Sequence, residues 1–117
     1  MLKRLAIGIS GALLCVVAPA YGQYGDSNAG RAFAVENCRQ CHAVGKGGRM
    51  SSPLKAAPAF RAIANMSTTT PLGLRVFLNT SHPTMPNLIL SKKEVDDVIS
   101  YIMSLRPEPA AAAPNRS

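Results

Sequence analysis

Five consecutive residues, Cys38-Arg39-Gln40-Cys41-His42, restrict this chain more than anything else in it. On a helical turn, residues three and four apart lie on one face. Cys38, Cys41 and His42 can therefore all be presented to one flat object. Two thiols at that spacing can add to two vinyl groups and form thioethers. An imidazole beside the second thiol can reach a metal at the centre of the same plane. A chain that grips a flat group at three points has to be organised around it.

That order of residues, C-x-x-C-H, is the attachment signature of a c-type haem, with the histidine as proximal iron ligand. Three other readings explain less. A thioredoxin-like redox pair needs a β-α-β pattern nearby, and none follows. A structural zinc site needs a second pair of ligands, but after position 42 there is no cysteine and one histidine, His82. A structural disulfide leaves His42 and the later methionines without a role.

The chain has 117 residues, enough for one small domain. Lys3 and Arg4 precede an apolar run over 5–17, and Ala18-Pro19-Ala20 follows as an A-x-A cleavage site. Residues 1–20 read as a secretory signal peptide, with an uncleaved anchor as the alternative. Leu14 stands where a lipoprotein signal wants a small residue, so Cys15 belongs to the apolar run. Cleavage leaves 97 residues whose two cysteines are the motif pair. Export to the periplasm agrees with the haem reading, because c-type haem is attached outside the cytoplasm. The formal charge is +7, and without Lys3 and Arg4 it falls by two, to +5. Such a surface suits an acidic protein partner. Few aromatics and no basic run argue against nucleic acid. So small a chain, without tryptophan, buries little apolar surface by itself. A haem would supply the missing centre.

The elements read as helices joined by loops. Asp26 or Ser27 caps a helix over 28–37, which ends in the C-x-x-C-H. Gly30 costs that helix about 1 kcal/mol against alanine, a cost that a close crossing by another helix explains. A glycine-rich loop with Lys46 and Arg49 follows and runs to residue 57. It is no phosphate loop, since it lacks a preceding strand and the G-K-[ST] ending. Phe60, Ile63 and Ala64 mark a short helix of about two turns. Thr70 caps a third, apolar helix with Pro71 at its first position. Met85 then sits in a loop over 79–90, framed by Pro83 and Pro86, which restrict the backbone on both sides. Ser91 and Glu94 form a capping box for the last helix. Its buried stripe is Val95, Val98, Ile99, Ile102 and Leu105, with Tyr101 beside it. Residues 107–117 read as a disordered Pro/Ala-rich tail. The fold class is all-α: three to five short helices wrapped around one covalently bound haem.

A haem iron with one histidine ligand has a sixth position whose occupant decides its chemistry. Met50, Met66, Met85, Met103 and His82 are the candidates. Met85 is preferred because a proline-framed side chain loses less entropy when it is held at an iron. The Cys38–His42 motif, Pro58, Met85-Pro86, and a closing helix with Val98, Ile99, Tyr101 and Ile102 together resemble class I cytochromes c of the small exported bacterial kind. The resemblance covers a domain over 27–106. It implies that the first and last helices cross near Gly30, Phe33 and Tyr101. It also implies that a proline carbonyl, Pro58 rather than Pro53, bonds the other nitrogen of His42. Some relatives bond a haem propionate with a tryptophan that this chain lacks, leaving Arg49, Arg61, Tyr101 or a threonine for that role. The implied function is one-electron transfer by a monomeric carrier between redox protein partners, with no bond chemistry of its own. The alternatives are a haem protein with a vacant sixth site, gas-binding or peroxidase-like, and a dedicated electron-acceptor subunit of a dehydrogenase.

Overall fold

The structure, a computed structural model, describes residues 25–47 and 51–107. The expected signal peptide at 1–20, the tail from residue 108 onward, and Arg49 and Met50 lie outside the described residues.

Four helices follow in order: α1 Ser27–Asn37, α2 Phe60–Asn65, α3 Pro71–Leu78 and α4 Lys92–Met103. Among the described residues there is no strand, only an isolated antiparallel bridge between His82 and Met85. The caps follow from local chemistry. The Asp26 carboxylate accepts from the Asn28 and Ala29 backbone N–H groups, so α1 begins at Ser27, one residue before the expected start. Thr70 caps α3 through Gly73 N, with Pro71 in the first turn where its missing N–H costs nothing. Ser91 and Glu94 form the expected capping box on α4. The second helix has six residues, close to the two turns expected, and has no side-chain cap.

The core lies where α4 crosses α1. A Cβ on Gly30 would stand 1.9 Å from the carbonyl oxygen of Asp97 and 2.9 Å from the Cβ of Tyr101. The backbones meet there, and only glycine fits. Ala34 is fully buried beside the crossing, while Phe33 packs against the core from a half-buried position. On α4, Val95, Val98, Ile99, Tyr101 and Ile102 are buried, and Leu105 continues the stripe beyond its end. Phe60, Ala64 and Leu74 bring α2 and α3 onto the same face. Met103 packs against this cluster, as core rather than as a candidate ligand.

Two features of the crossing were not foreseen. Asp97 is 5% exposed in the middle of the apolar stripe. Its carboxylate accepts from the Asp26 backbone N–H at 2.8 Å and from Lys93 Nζ at 2.6 Å, so the buried charge is satisfied. Arg106, beyond α4, donates to the carbonyls of Ala64 and Thr69 and ties down the α2–α3 connection. Thr69 reinforces that connection by donating its hydroxyl to Ile63 O at 2.6 Å.

Candidate functional site

The motif lies just past α1 rather than on it. Helix α1 ends at Asn37, with Cys38 as its cap. Both Cys38 N and Arg39 N then donate to Ala34 O, at 2.9 and 3.1 Å, which closes the helix. A separate turn follows, in which Cys38 O accepts from Cys41 N at 3.2 Å and from His42 N at 2.9 Å. The shared face expected of a helix is therefore supplied by one isolated turn. Its i+3 and i+4 hydrogen bonds keep Cys38, Cys41 and His42 together.

Neither cysteine is in a disulfide, and both are half-buried. Burial pushes the Cys38 thiol above its ordinary pKa, and the neighbouring Cys41 adds to the effect. Redox-active C-x-x-C pairs work through a lowered thiol pKa, whereas the shift at Cys38 is upward.

His42 is held from three sides. Its backbone is fixed by the turn. Its ring rests against Phe60, with centroids 5.4 Å apart. Its Nδ1 lies 2.6 Å from Pro58 O. A carbonyl oxygen only accepts, so Nδ1 carries the proton and Nε2 presents a lone pair. That is the tautomer a metal-binding imidazole needs. The segment supplying this carbonyl is itself strapped to the motif. Phe60 N donates to Ala43 O at 2.9 Å, Ala43 N donates to Ser52 Oγ at 3.0 Å, and Leu54 N donates to Cys41 O at 3.2 Å. Tyr101, 1% exposed, donates its hydroxyl to Val44 O and so fastens α4 to the same stretch. This hydroxyl is committed to that carbonyl, which removes Tyr101 from the candidates for a propionate. Arg61 donates to Lys46 O at 3.1 Å and keeps its remaining N–H groups.

Met85 is half-buried in the 79–90 segment. Its backbone pairs with His82, and the His82 ring stacks on Phe77 of α3 with centroids 3.5 Å apart. Met66 caps the end of α2 at 48% exposure. Apolar side chains of α3 lie outside the core: Leu72, Val76 and Phe77 are exposed, as are Leu54, Leu88 and Ile89 in the loops. A flat apolar group anchored by two thioethers, with one imidazole nitrogen offered to its metal, fits this donor set and this uncovered apolar surface. Cys38 and Cys41 would hold it covalently and His42 would ligate it.

The comparisons agree with the geometry. The family model described as "Cytochrome c" matches residues 27–106. The chain is similar to cytochrome c-552 of Bradyrhizobium diazoefficiens, 35% identical over 82 residues that cover 70% of this chain and 77% of that protein. No solved structure matches it.

Proposed function

Because the chain belongs to the cytochrome c family, whose cofactor is covalently bound haem c and whose members carry electrons, we propose that it is a periplasmic one-electron shuttle ligated by His42 and Met85. The observation that carries this reading is the Pro58 carbonyl on His42 Nδ1, which leaves Nε2 as the donor atom. The bound haem supplies an iron that cycles between ferric and ferrous. The residues of the chain do the rest. Cys38 and Cys41 keep the group from dissociating, and Pro58 fixes the imidazole's tautomer and raises its basicity. Met85 would supply its thioether as the second protein ligand, which favours electron transfer over ligand binding. Export fits the bacterial relatives, and among the described residues no helix is long and apolar enough to cross a membrane.

Met85→Ala tests the ligand set. The haem should remain attached after denaturation and acid–acetone extraction, the reduction potential should fall, and the ferrous protein should bind carbon monoxide. An unchanged ferric spectrum and potential would show that another side chain holds the sixth site.

The partner surface follows from where the charges lie. Asp26, Glu94, Asp96 and Asp97 gather at the starts of α1 and α4. There Lys92 and Lys93 pair with Asp96 and Asp97 at 2.8 and 2.6 Å, and Arg75 pairs with Asp96. The lysines of α4 are thus ion-paired while remaining exposed. Arg39, Lys46 and Lys55, beside the motif, are exposed and form no ion pair among the described residues. Positive charges outside any ion pair therefore stand beside the motif, where they would steer an acidic redox partner. The rate of reaction with such a partner should fall as salt rises, since the screening length is about 10 Å at 0.1 M. Reversing Lys46 and Lys55 together should flatten that dependence, and Lys92→Glu should affect it less. A rate indifferent to salt would rule out the acidic partner.

A further inference from the structure

The 79–90 segment contains no buried residue, yet it carries the side chain on which the sixth position depends. Something other than the core must hold Met85 in place. The chain turns through Pro83 and Thr84, and the backbones of His82 and Met85 pair across that turn. One end of the turn is fastened outward: the His82 ring lies on Phe77 with centroids 3.5 Å apart and planes tilted by 27°. Phe77 is 48% exposed and does not belong to the core cluster, and the His82 ring is what stacks on it. The link is completed at Thr80, whose hydroxyl donates to Phe77 O at 3.1 Å and stands 3.5 Å from His82 Nε2. Phe77, His82 and Met85 line one tight depression together with Leu78 and Leu90.

We propose that Phe77 and His82 are positioning residues for Met85: their ring stack ties the His82–Met85 turn to the C-terminal end of α3 and sets how easily an external ligand displaces the thioether from the iron. This rests on the reading of Met85 as the sixth ligand. In this role His82 is no rival ligand. One face of its ring is covered by Phe77, and its Nε2 is turned toward Thr80. The stack works because rings hold a turn with few rotatable bonds, so little entropy is lost in keeping it formed. The two prolines narrow the backbone of the segment, and the stack fixes where the narrowed segment sits.

The test is imidazole binding to the ferric holoprotein, followed by its absorption spectrum, with thermal unfolding of each variant measured alongside. Phe77→Leu and His82→Ala should each tighten apparent imidazole binding by between about two- and tenfold, the range an aromatic pair is worth. Their double variant should bind imidazole no more tightly than the tighter single one, because both remove the same contact. His82→Phe keeps a ring on Phe77 and should restore the wild-type affinity. A role in general stability alone would lower the unfolding temperature without this rescue. Wild-type affinity in both Phe77→Leu and His82→Ala would overturn the proposal. So would a His82→Phe variant that binds imidazole as tightly as His82→Ala, since the nitrogens of the His82 ring and not the stack would then matter. Met85→Ala separates the two layers of the argument. Were it to bind imidazole no more tightly than wild type, Met85 would not be the ligand, and the positioning role would fall with that reading. Were it to bind far more tightly while Phe77→Leu stayed at the wild-type value, the ligand would stand and only the stack would be refuted.

Discussion

The α1–α4 crossing and the 79–90 segment are held in opposite ways. At the crossing, backbone lies against backbone at Gly30, and five residues of α4 between Val95 and Ile102 are buried apolar side chains. The buried carboxylate there has two partners. In the 79–90 segment no side chain is buried, and order comes from two prolines, one bridge and one ring stack. The half that grips His42 is thus built by the polypeptide alone, through Phe60, Pro58 and Tyr101. The half that carries Met85 is built locally and leaves apolar surface for a cofactor to cover. In the proposed ligand set, a folded helix pair presents His42 and a loop presents Met85, so a bound haem would complete the structure. This division agrees with the limited burial available to so short a chain.

The sharpest way to break the contrast is at Gly30. A methyl group there would meet the Asp97 carbonyl at 1.9 Å and could be accommodated only by parting the helices. Gly30→Ala should cost about 3 kcal/mol in denaturant unfolding of the holoprotein, toward the upper end of overpacking effects. A loss under about 1 kcal/mol would show that the crossing is looser than described.

Next in size is the acid response of the crossing. The Lys93 ammonium, and then the Asp26 backbone N–H, hold the Asp97 carboxyl below the usual carboxylate range, against the smaller opposing effects of burial and of neighbouring Asp96. Folding therefore favours the ionised form. The stabilisation is complete above the unfolded carboxyl's value of about 4 and is lost as pH falls through the folded value. Asp97→Asn should unfold at higher pH than wild type and show a shallower loss of stability below about pH 4. Equal slopes in acid titrations of the two proteins would remove Asp97 from this role.

The smallest effect should come from the other region. Ile89 is 98% exposed, so Ile89→Ser should change unfolding stability by less than about 0.5 kcal/mol. A larger loss would mean that this segment is packed more like the crossing than its exposure indicates.

The local elements were legible in the sequence because their signals are local. Ser91 with Glu94 announced α4, Thr70 with Pro71 announced α3, and the i, i+3, i+4 spacing of α4 named its buried stripe. Gly30 could be read as a crossing because a glycine in a helix is costly without a reason. The C-x-x-C-H could be read as haem attachment because its chemistry lies within five residues. Other features depend on partners far away in the chain and left no local mark. Asp97 looks like a surface residue of α4 until the Asp26 backbone N–H, 71 positions away, points at it. Arg106 looks like part of a solvated tail until it meets the Ala64 and Thr69 carbonyls. Leu72, Val76 and Phe77 make the third helix apolar, yet only Leu74 of α3 is buried. Periodicity tells which face is apolar but not what will cover it. The sequence by itself determined the helices, their caps and the chemistry of the attachment motif, since these depend on neighbours within a turn or two. Only the tertiary structure decided how the buried Asp97 charge is satisfied and which ring stacks on His82 beside Met85, because each of these is a contact between segments that the chain must fold to bring together.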